Sequence, residues 1–328
     1  MSTLLKSSIF IFLLFLSGCD EDKTLNPKSC PNFQNIPSPT YDHPLWHPNK
    51  NIIGFNHRPI RKIIYEYGYD CPAQATYIYK EDSIGFYLIT ADGTNKRMAL
   101  HRRLETPAWS ADGKWIAYST DAQIYKMPFD GEKFDTTAIE QLTAEGRNFF
   151  PAWSPDGAMI SYDNTSCGNA SGSILPNNCG ILLMDVNGDN KRLIATGRRM
   201  PYWDKSNAYI YSFGVKFELT SGISQTFFNP ETHNLSLYNP PKFNPENTRI
   251  GFVAYPIEGG AGNFYTITAD GKDLKKISTT NVYSFSWSPS GDIVYSNYDF
   301  IRIDRVSSTL WIMDAGGLNL KQLTFNHL

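Results

Sequence analysis

The side chains able to do chemistry in this 328-residue chain are scattered rather than gathered. Six histidines stand at 43, 47, 57, 101, 233 and 327, without a Cys-x-x-Cys or a His cluster to complete a zinc site. There is no Gly-x-Ser-x-Gly to present a hydrolase nucleophile, no Gly-rich phosphate loop and no His-Glu-x-x-His. Asp185-Val186-Asn187-Gly188-Asp189-Asn190 opens like a calcium loop, but such a loop needs further oxygen ligands and a Glu at its twelfth position. That position is Thr196, so the run is read as a tight turn, and neither a metal nor a cofactor is assigned. Binding chemistry is better represented. Arg58, Arg61, Tyr65, Tyr67 and Tyr69 crowd the stretch 57–83, and Tyr298, Arg302 and Arg305 the stretch 297–308. Tyr and Arg are the types that dominate binding hot spots, because they combine large contact area with a polar or charged end. These eight residues are the candidate partner-binding set.

The elements that must position them repeat. Pro107-Ala108-Trp109-Ser110-Ala111-Asp112-Gly113 returns as Pro151-Ala152-Trp153-Ser154-Pro155-Asp156-Gly157, and again around Trp287. Weaker copies surround Trp46, Trp203 and Phe243, so six anchors follow one another at intervals of 63, 44, 50, 40 and 44 residues. After each anchor come a Ser-Pro-Asp-Gly-like turn, a short alternating strand such as Trp115-Ile116-Ala117-Tyr118, a variable loop, a second strand ending in Asp-Gly or a relative, and a last short strand. Asp-Gly and Asn-Gly between β-rich runs are hairpin signals, since Gly takes a positive φ without steric cost. With the stretch leading into the anchor, each unit holds four strands. Four-stranded units of this period with a Trp anchor predict an all-β fold, a six-bladed β-propeller of four-stranded antiparallel blades. The anchors are read as packing residues that cover the neighbouring sheet. Blade four is the least regular: its second hairpin is placed at 226–235, which lacks Asp-Gly.

The Pro-x-Trp-Ser-Pro-Asp-Gly phrase, the Ile-Ala-Tyr or Ile-Ser-Tyr strand after it, the Ile-x-x-Met-Asp-x-x-Gly hairpin and the closing Gln-Leu-Thr resemble the TolB-type, WD-repeat-like propeller repeat over about residues 40–328. The resemblance is to the propeller module without the separate α/β domain that precedes it in TolB. Similar repeats occur in propellers of prolyl-oligopeptidase-like peptidases, in oligogalacturonate lyases and in many lipoproteins. The resemblance therefore implies the fold and leaves the activity open. A lyase of the oligogalacturonate type would need several His side chains, such as His43, His57 and His101, to converge on one face.

Residues 1–18 read as a secretory signal, with Lys6 ahead of the apolar run Ile9–Leu16, too short to span a bilayer. Leu16-Ser17-Gly18-Cys19 looks like a bacterial lipobox, which would lipidate Cys19 and leave 19–40 as a tether and 41–328 as the propeller. The remaining cysteines number four, an even count that suggests disulfides in an oxidising compartment. Cys167 with Cys179, across one loop, and Cys30 with Cys71 are the expected pairs. A formal net charge of −2 gives no footprint for nucleic acid. The expectation is a lipid-anchored scaffold in the bacterial cell envelope that touches membrane through its N-terminal lipid only. It engages an envelope protein through the long loops of blades one, three and six, with a glycan as the alternative ligand.

Overall fold

The computed structural model describes residues 39–66, 74–166, 179–278, 280–302 and 305–325. The repeat phrase is a hydrogen-bonded module. The Ser110 hydroxyl donates to Asp112 Oδ1 (2.6 Å) and accepts the Trp115 amide (3.0 Å), while Asp112 Oδ1 also accepts the Lys114 amide (3.0 Å). Gly113 closes the turn at φ +70°, a left-handed value that favours glycine. Ser154 and Asp156 repeat these bonds in blade three. In blades four and five the left-handed position falls to Asn207 and Asn247 instead, the non-glycine residue that tolerates it best.

Each module starts a meander of four antiparallel strands, and six meanders make the propeller. Blade one comprises Tyr41–Trp46, Ile52–His57, Gly85–Thr90 and Arg97–Leu100; blade two Glu105–Trp109, Trp115–Thr120, Gln123–Pro128 and Glu140–Gln141. Blade three comprises Asn148–Trp153, Met159–Asn164, Gly180–Asp185 and Arg192–Thr196; blade four Tyr202–Trp203, Tyr209–Ser212, Val215–Glu218 and Ser224–Thr226. In blade five the innermost strand is split into Leu235–Leu237 and Lys242–Phe243, followed by Arg249–Pro256, Asn263–Thr268 and Lys275–Lys276. Blade six comprises Ser284–Trp287, Ile293–Arg302, Arg305–Met313 and Lys321–Gln322.

Two sequence expectations change. The second hairpin of blade four lies between Val215–Glu218 and Ser224–Thr226, not at 226–235. Phe213 and Gly214 turn the chain at once from second to third strand, which advances the pattern by several residues. Residues 227–235 then form the link to blade five, with a 3-10 turn at Pro230–His233. The stretch 297–308 is less a loop than a continuation of two strands, paired from Ile293↔Met313 out to Arg302↔Arg305. The blade-one insertion also folds into its own hairpin, Ile60–Glu66 against Gln74–Tyr79.

The core is distributed. Buried apolar side chains among the described residues form six clusters, each straddling one blade junction. The ring closes through one of them, in which Tyr41, Trp46, Phe55 and Ile89 of blade one meet Val294, Leu310 and Leu323 of blade six. Both blades are complete within themselves, so closure rests on packing and on polar ties rather than on an exchanged strand. Thr40 Oγ1 donates to Ser308 O (3.2 Å), Ser308 Oγ donates to Tyr41 O (2.8 Å), and the Trp46 amide donates to Ser286 Oγ (3.1 Å).

The anchors add a second set of ties. Trp153 Nε1 donates to Ala108 O (3.1 Å), Trp203 Nε1 to Ala152 O (3.0 Å) and Trp287 Nε1 to Lys242 O (3.2 Å). In each case the acceptor lies one residue before the preceding blade's anchor. Phe243 has no N–H to offer, and the buried Trp109 N–H finds no acceptor. At that junction His47 bonds Gly113 O through Nε2 (3.0 Å) and packs 4.9 Å from the Trp109 ring.

Candidate functional site

Register fixes the two faces of the disc. The start of each innermost strand pairs with the end of the second strand, as in Tyr41↔His57, Asn148↔Asn164 and Ser284↔Ser296. The links from second to third strand therefore share a face with the ends of the innermost strands away from their anchors. The Ser-Pro-Asp-Gly turns and the second hairpins occupy the opposite face. The described ends of all three stretches expected to bind, at 57–83, 164–180 and 297–308, lie on the first, or loop, face.

The edge of that face is built under backbone strain. His43, Thr106, Phe150 and Met200 each stand three residues before an anchor, and all have positive φ (48°, 45°, 52° and 55°). Such values are rare for bulky residues and persist only where surroundings enforce them. A bulge accompanies three of them, at Asp42/Leu45, Glu105/Ala108 and Phe149/Ala152. The enforcing contacts come from the preceding blade: Ser284 Oγ accepts the His43 amide (3.2 Å), Thr106 Oγ1 the Phe150 amide (3.1 Å) and Asp163 Oδ2 the Met200 amide (3.3 Å).

Buried charge clusters beside these positions. Asp42 is almost wholly buried and meets Arg103, with His43 Nδ1 at 3.3 Å. Burial alone would raise the Asp42 carboxyl, but His43, Arg103 and Asn56 together hold it below its usual value. Asp163 is fully buried, and the cation beside it is Arg199, whose Nε lies 3.2 Å from Oδ2. There burial prevails over the Arg199 charge, and the carboxyl is pushed up to about 6.

Next to Asp42 the face becomes aromatic. Tyr238 lies 5.4 Å from Tyr255 and 5.6 Å from Tyr283, and Tyr283 lies 5.7 Å from Tyr298, centroid to centroid. The Tyr238 and Tyr283 hydroxyls are 3.4 Å apart. Tyr298 is within electrostatic reach of Tyr77 and Tyr79 on the blade-one hairpin, and Arg58 stacks 3.7 Å over the Tyr79 ring. Burial pushes the Tyr283 and Tyr298 hydroxyls far above their ordinary range, so both stay protonated as donors. Tyr238 at 46% and Ile257 at 55% exposure form the outer margin. The result is one tyrosine patch running from blade five across blade six to blade one.

Of the expected binding residues, the structure brings Arg58 and Tyr298 into this patch. Arg61 is exposed on the hairpin. Tyr65 lies in the hairpin strand Ile60–Glu66, and Arg302 and Arg305 face one another in register, as backbone positions. Tyr67, Tyr69, Cys19, Cys30, Cys71 and Cys167 lie outside the described residues, as do the signal segment and all but the last two residues of the tether. Sequence reasoning passed over Tyr77, Tyr79, Tyr238, Tyr255 and Tyr283. Tyr77-Ile78-Tyr79 carried an alternating-strand signal, and Tyr283 occupies the place four residues before its anchor that Asp42 takes in blade one.

The histidines do not gather. His57 stacks on Tyr41 at 4.2 Å, its Nδ1 lies 2.9 Å from Thr40 O, and burial draws it down to about 4. Among the described residues no three His, Cys, Asp or Glu side chains stand where they could share a metal ion. Asp185 to Asp189 form the hairpin turn, with the Gly188 amide donating to Asp185 O (2.9 Å). Through the middle of the disc runs a channel of about 760 Å³, walled by the six innermost strands and including all six anchors.

No protein-family model matches the chain, and no curated protein does. Solved structures do match. A putative TolB from Agrobacterium tumefaciens is 20% identical with a TM-score of 0.55, covering 70% of this chain and 84% of that one. TolB from Acinetobacter baumannii is 17% identical with a TM-score of 0.56, covering 87% of this chain and 64% of that one. This chain thus spans less than two thirds of the Acinetobacter protein. A luciferin-regenerating enzyme is 12% identical with a TM-score of 0.53, covering 86% and 92%. At such identities the likeness is one of fold: the chain is a TolB-like six-bladed β-propeller.

Proposed function

We propose that the chain is an exported binding scaffold, held to a membrane by lipid on Cys19, which engages an envelope protein through the tyrosine patch of its loop face. The observation that carries this reading is the patch itself. Six tyrosines and Arg58, drawn from three blades, line up beside the buried Asp42–Arg103 pair. Aromatic rings held by stacking on one another lose little freedom on binding, and Tyr and Arg at such a surface make hot spots. The likeness in fold to two TolB structures supports an envelope setting, since TolB proteins are periplasmic. Cys179 is disulfide-bonded, which supports the pairing with Cys167 across the blade-three loop and an oxidising compartment.

The test is a pull-down of the lipidated protein from its own envelope, quantified for three forms. Tyr238→Ala with Arg58→Ala is expected to reduce recovery of the partner at least about tenfold, the loss typical of two hot-spot positions. Leu318→Ser alters an exposed apolar side chain in a hairpin of the opposite face and is expected to leave recovery unchanged. Equal recovery of all three would contradict the assignment. Retention on a surface polysaccharide, lost in the same double variant, would replace the protein partner with a glycan.

A further inference from the structure

The central channel holds a charged group that the binding face does not use. Lys242 precedes the blade-five anchor on the innermost strand, where the other blades have Leu45, Ala108, Ala152, Tyr202 and Ser286. Its side chain crosses to blade six, where Nζ donates to Phe285 O (3.2 Å) and lies 5.6 Å from the centre of the Phe285 ring. An ammonium has three donors, and the other two find no protein acceptor among the described residues. Among the described residues no carboxylate pairs with it, and desolvation draws the amine down to about 8. The other charged or titratable walls of the channel are His43, Tyr202, Asp204 and Lys205, and burial keeps the Tyr202 hydroxyl protonated. Asp204 already accepts from Ser206 Oγ and the Tyr209 amide, and Lys205 donates to Pro245 O.

A half-buried cation without a counter-charge has given up part of its hydration, and an anion is the group that would restore the balance. The walls around it are aromatic. Trp203, Phe243 and Trp287, in blades four to six, are partly exposed, whereas Trp46, Trp109 and Trp153 are 8–9% exposed. A volume of about 760 Å³ is that of a small-molecule pocket, and apolar walls with a few fixed polar groups are its usual composition.

We propose that the channel binds a small organic carboxylate with a flat apolar body, the carboxylate taken by Lys242 Nζ and the body by Trp203, Phe243 and Trp287. This site is separate from the loop-face patch and does not depend on the partner assigned there.

The test titrates the full chain at pH 6.5 and low salt with phenylacetate and indole-3-acetate, and with phenylacetamide and indole-3-acetamide as uncharged counterparts, by calorimetry or ligand-observed NMR. At least one carboxylate is expected to bind about tenfold or more tighter than its amide. Lys242→Met is expected to abolish that preference and Lys242→Arg to retain it. Lys242→Met should also melt no lower than the parent, since it removes a half-buried charge that no carboxylate among the described residues offsets; should it fail to fold, Lys242→Gln carries the same comparison. No binding of either carboxylate at about 10 mM, equal binding of acid and amide, or an undiminished preference in Lys242→Met would each overturn the proposal.

Discussion

Arg103→Met is expected to destabilise the propeller by about 3–5 kcal/mol at pH 7, the cost of stranding a buried carboxylate. Asp42 has almost no contact with solvent, and among the described residues Arg103 is the only permanent cation on it, since His43 is charged only when protonated. Methionine keeps much of the aliphatic stem and removes the guanidinium. The pH dependence identifies the mechanism. Asp42 titrates below its usual value in the folded chain. The stability it contributes is therefore present above the ordinary carboxylate range and is lost as pH falls through the folded value. The deficit of Arg103→Met should shrink as pH falls toward the folded value of the parent, because without Arg103 the buried carboxyl takes up a proton at higher pH and sheds the charge that strands it. Urea unfolding of both proteins at pH 7 and pH 3.5 measures this, and an equal deficit at the two pH values would point to lost packing instead.

The second large effect concerns the anchors. Trp153→Ala is expected to cost about 3–5 kcal/mol, as for other buried aromatic residues truncated to alanine. Trp153 is 8% exposed and packs at the junction where Ala117, Ile124 and Leu142 of blade two meet Ile160, Tyr162 and Met184 of blade three. Trp153→Phe keeps most of the ring and loses the bond to Ala108 O, so it should cost only about 1–2 kcal/mol. Blade five shows that the exchange is tolerated, because Phe243 already serves there without an N–H. Hydrogen exchange should report the loss first in blades two and three, because each cluster spans only one junction. A Phe variant as damaging as the Ala variant would remove the distinction between packing and the indole bond.

Much of this fold was legible in the chain. The Ser-Pro-Asp-Gly module is local: its Ser, Asp and Gly interact within five residues, so their order alone encodes the turn and the start of the next strand. Six copies then set the number of blades, and the Trp anchors announced the junctions. The binding face was harder to read because its residues meet across blades. Arg58 was singled out from a dense Arg and Tyr stretch, yet its stacking partner Tyr79 comes from the far strand of the same insertion. Tyr238, Tyr255 and Tyr283 join Tyr298 only after blades five and six pack. Nothing in the spacing of Tyr238, which lies in the irregular link before Lys242, declared this meeting. Blade four misled for a related reason. With Phe213-Gly214 as its whole second connection, it lacks the variable loop that separates the strand signals elsewhere. Lys242 was visible as a residue, but its isolation from any carboxylate is a property of the closed ring.

The central claim is that the loop face is the working face. It is tested most directly by placing a photo-cross-linking amino acid at Ile257, on the margin of the tyrosine patch, and at Leu318, on the opposite face, in cells that retain Cys19. Both side chains are exposed, at 55% and 68%, so neither substitution disturbs the core. The account predicts a discrete envelope protein cross-linked from position 257 and none from position 318. A partner captured from position 318 alone would place the interaction on the turn face and contradict it.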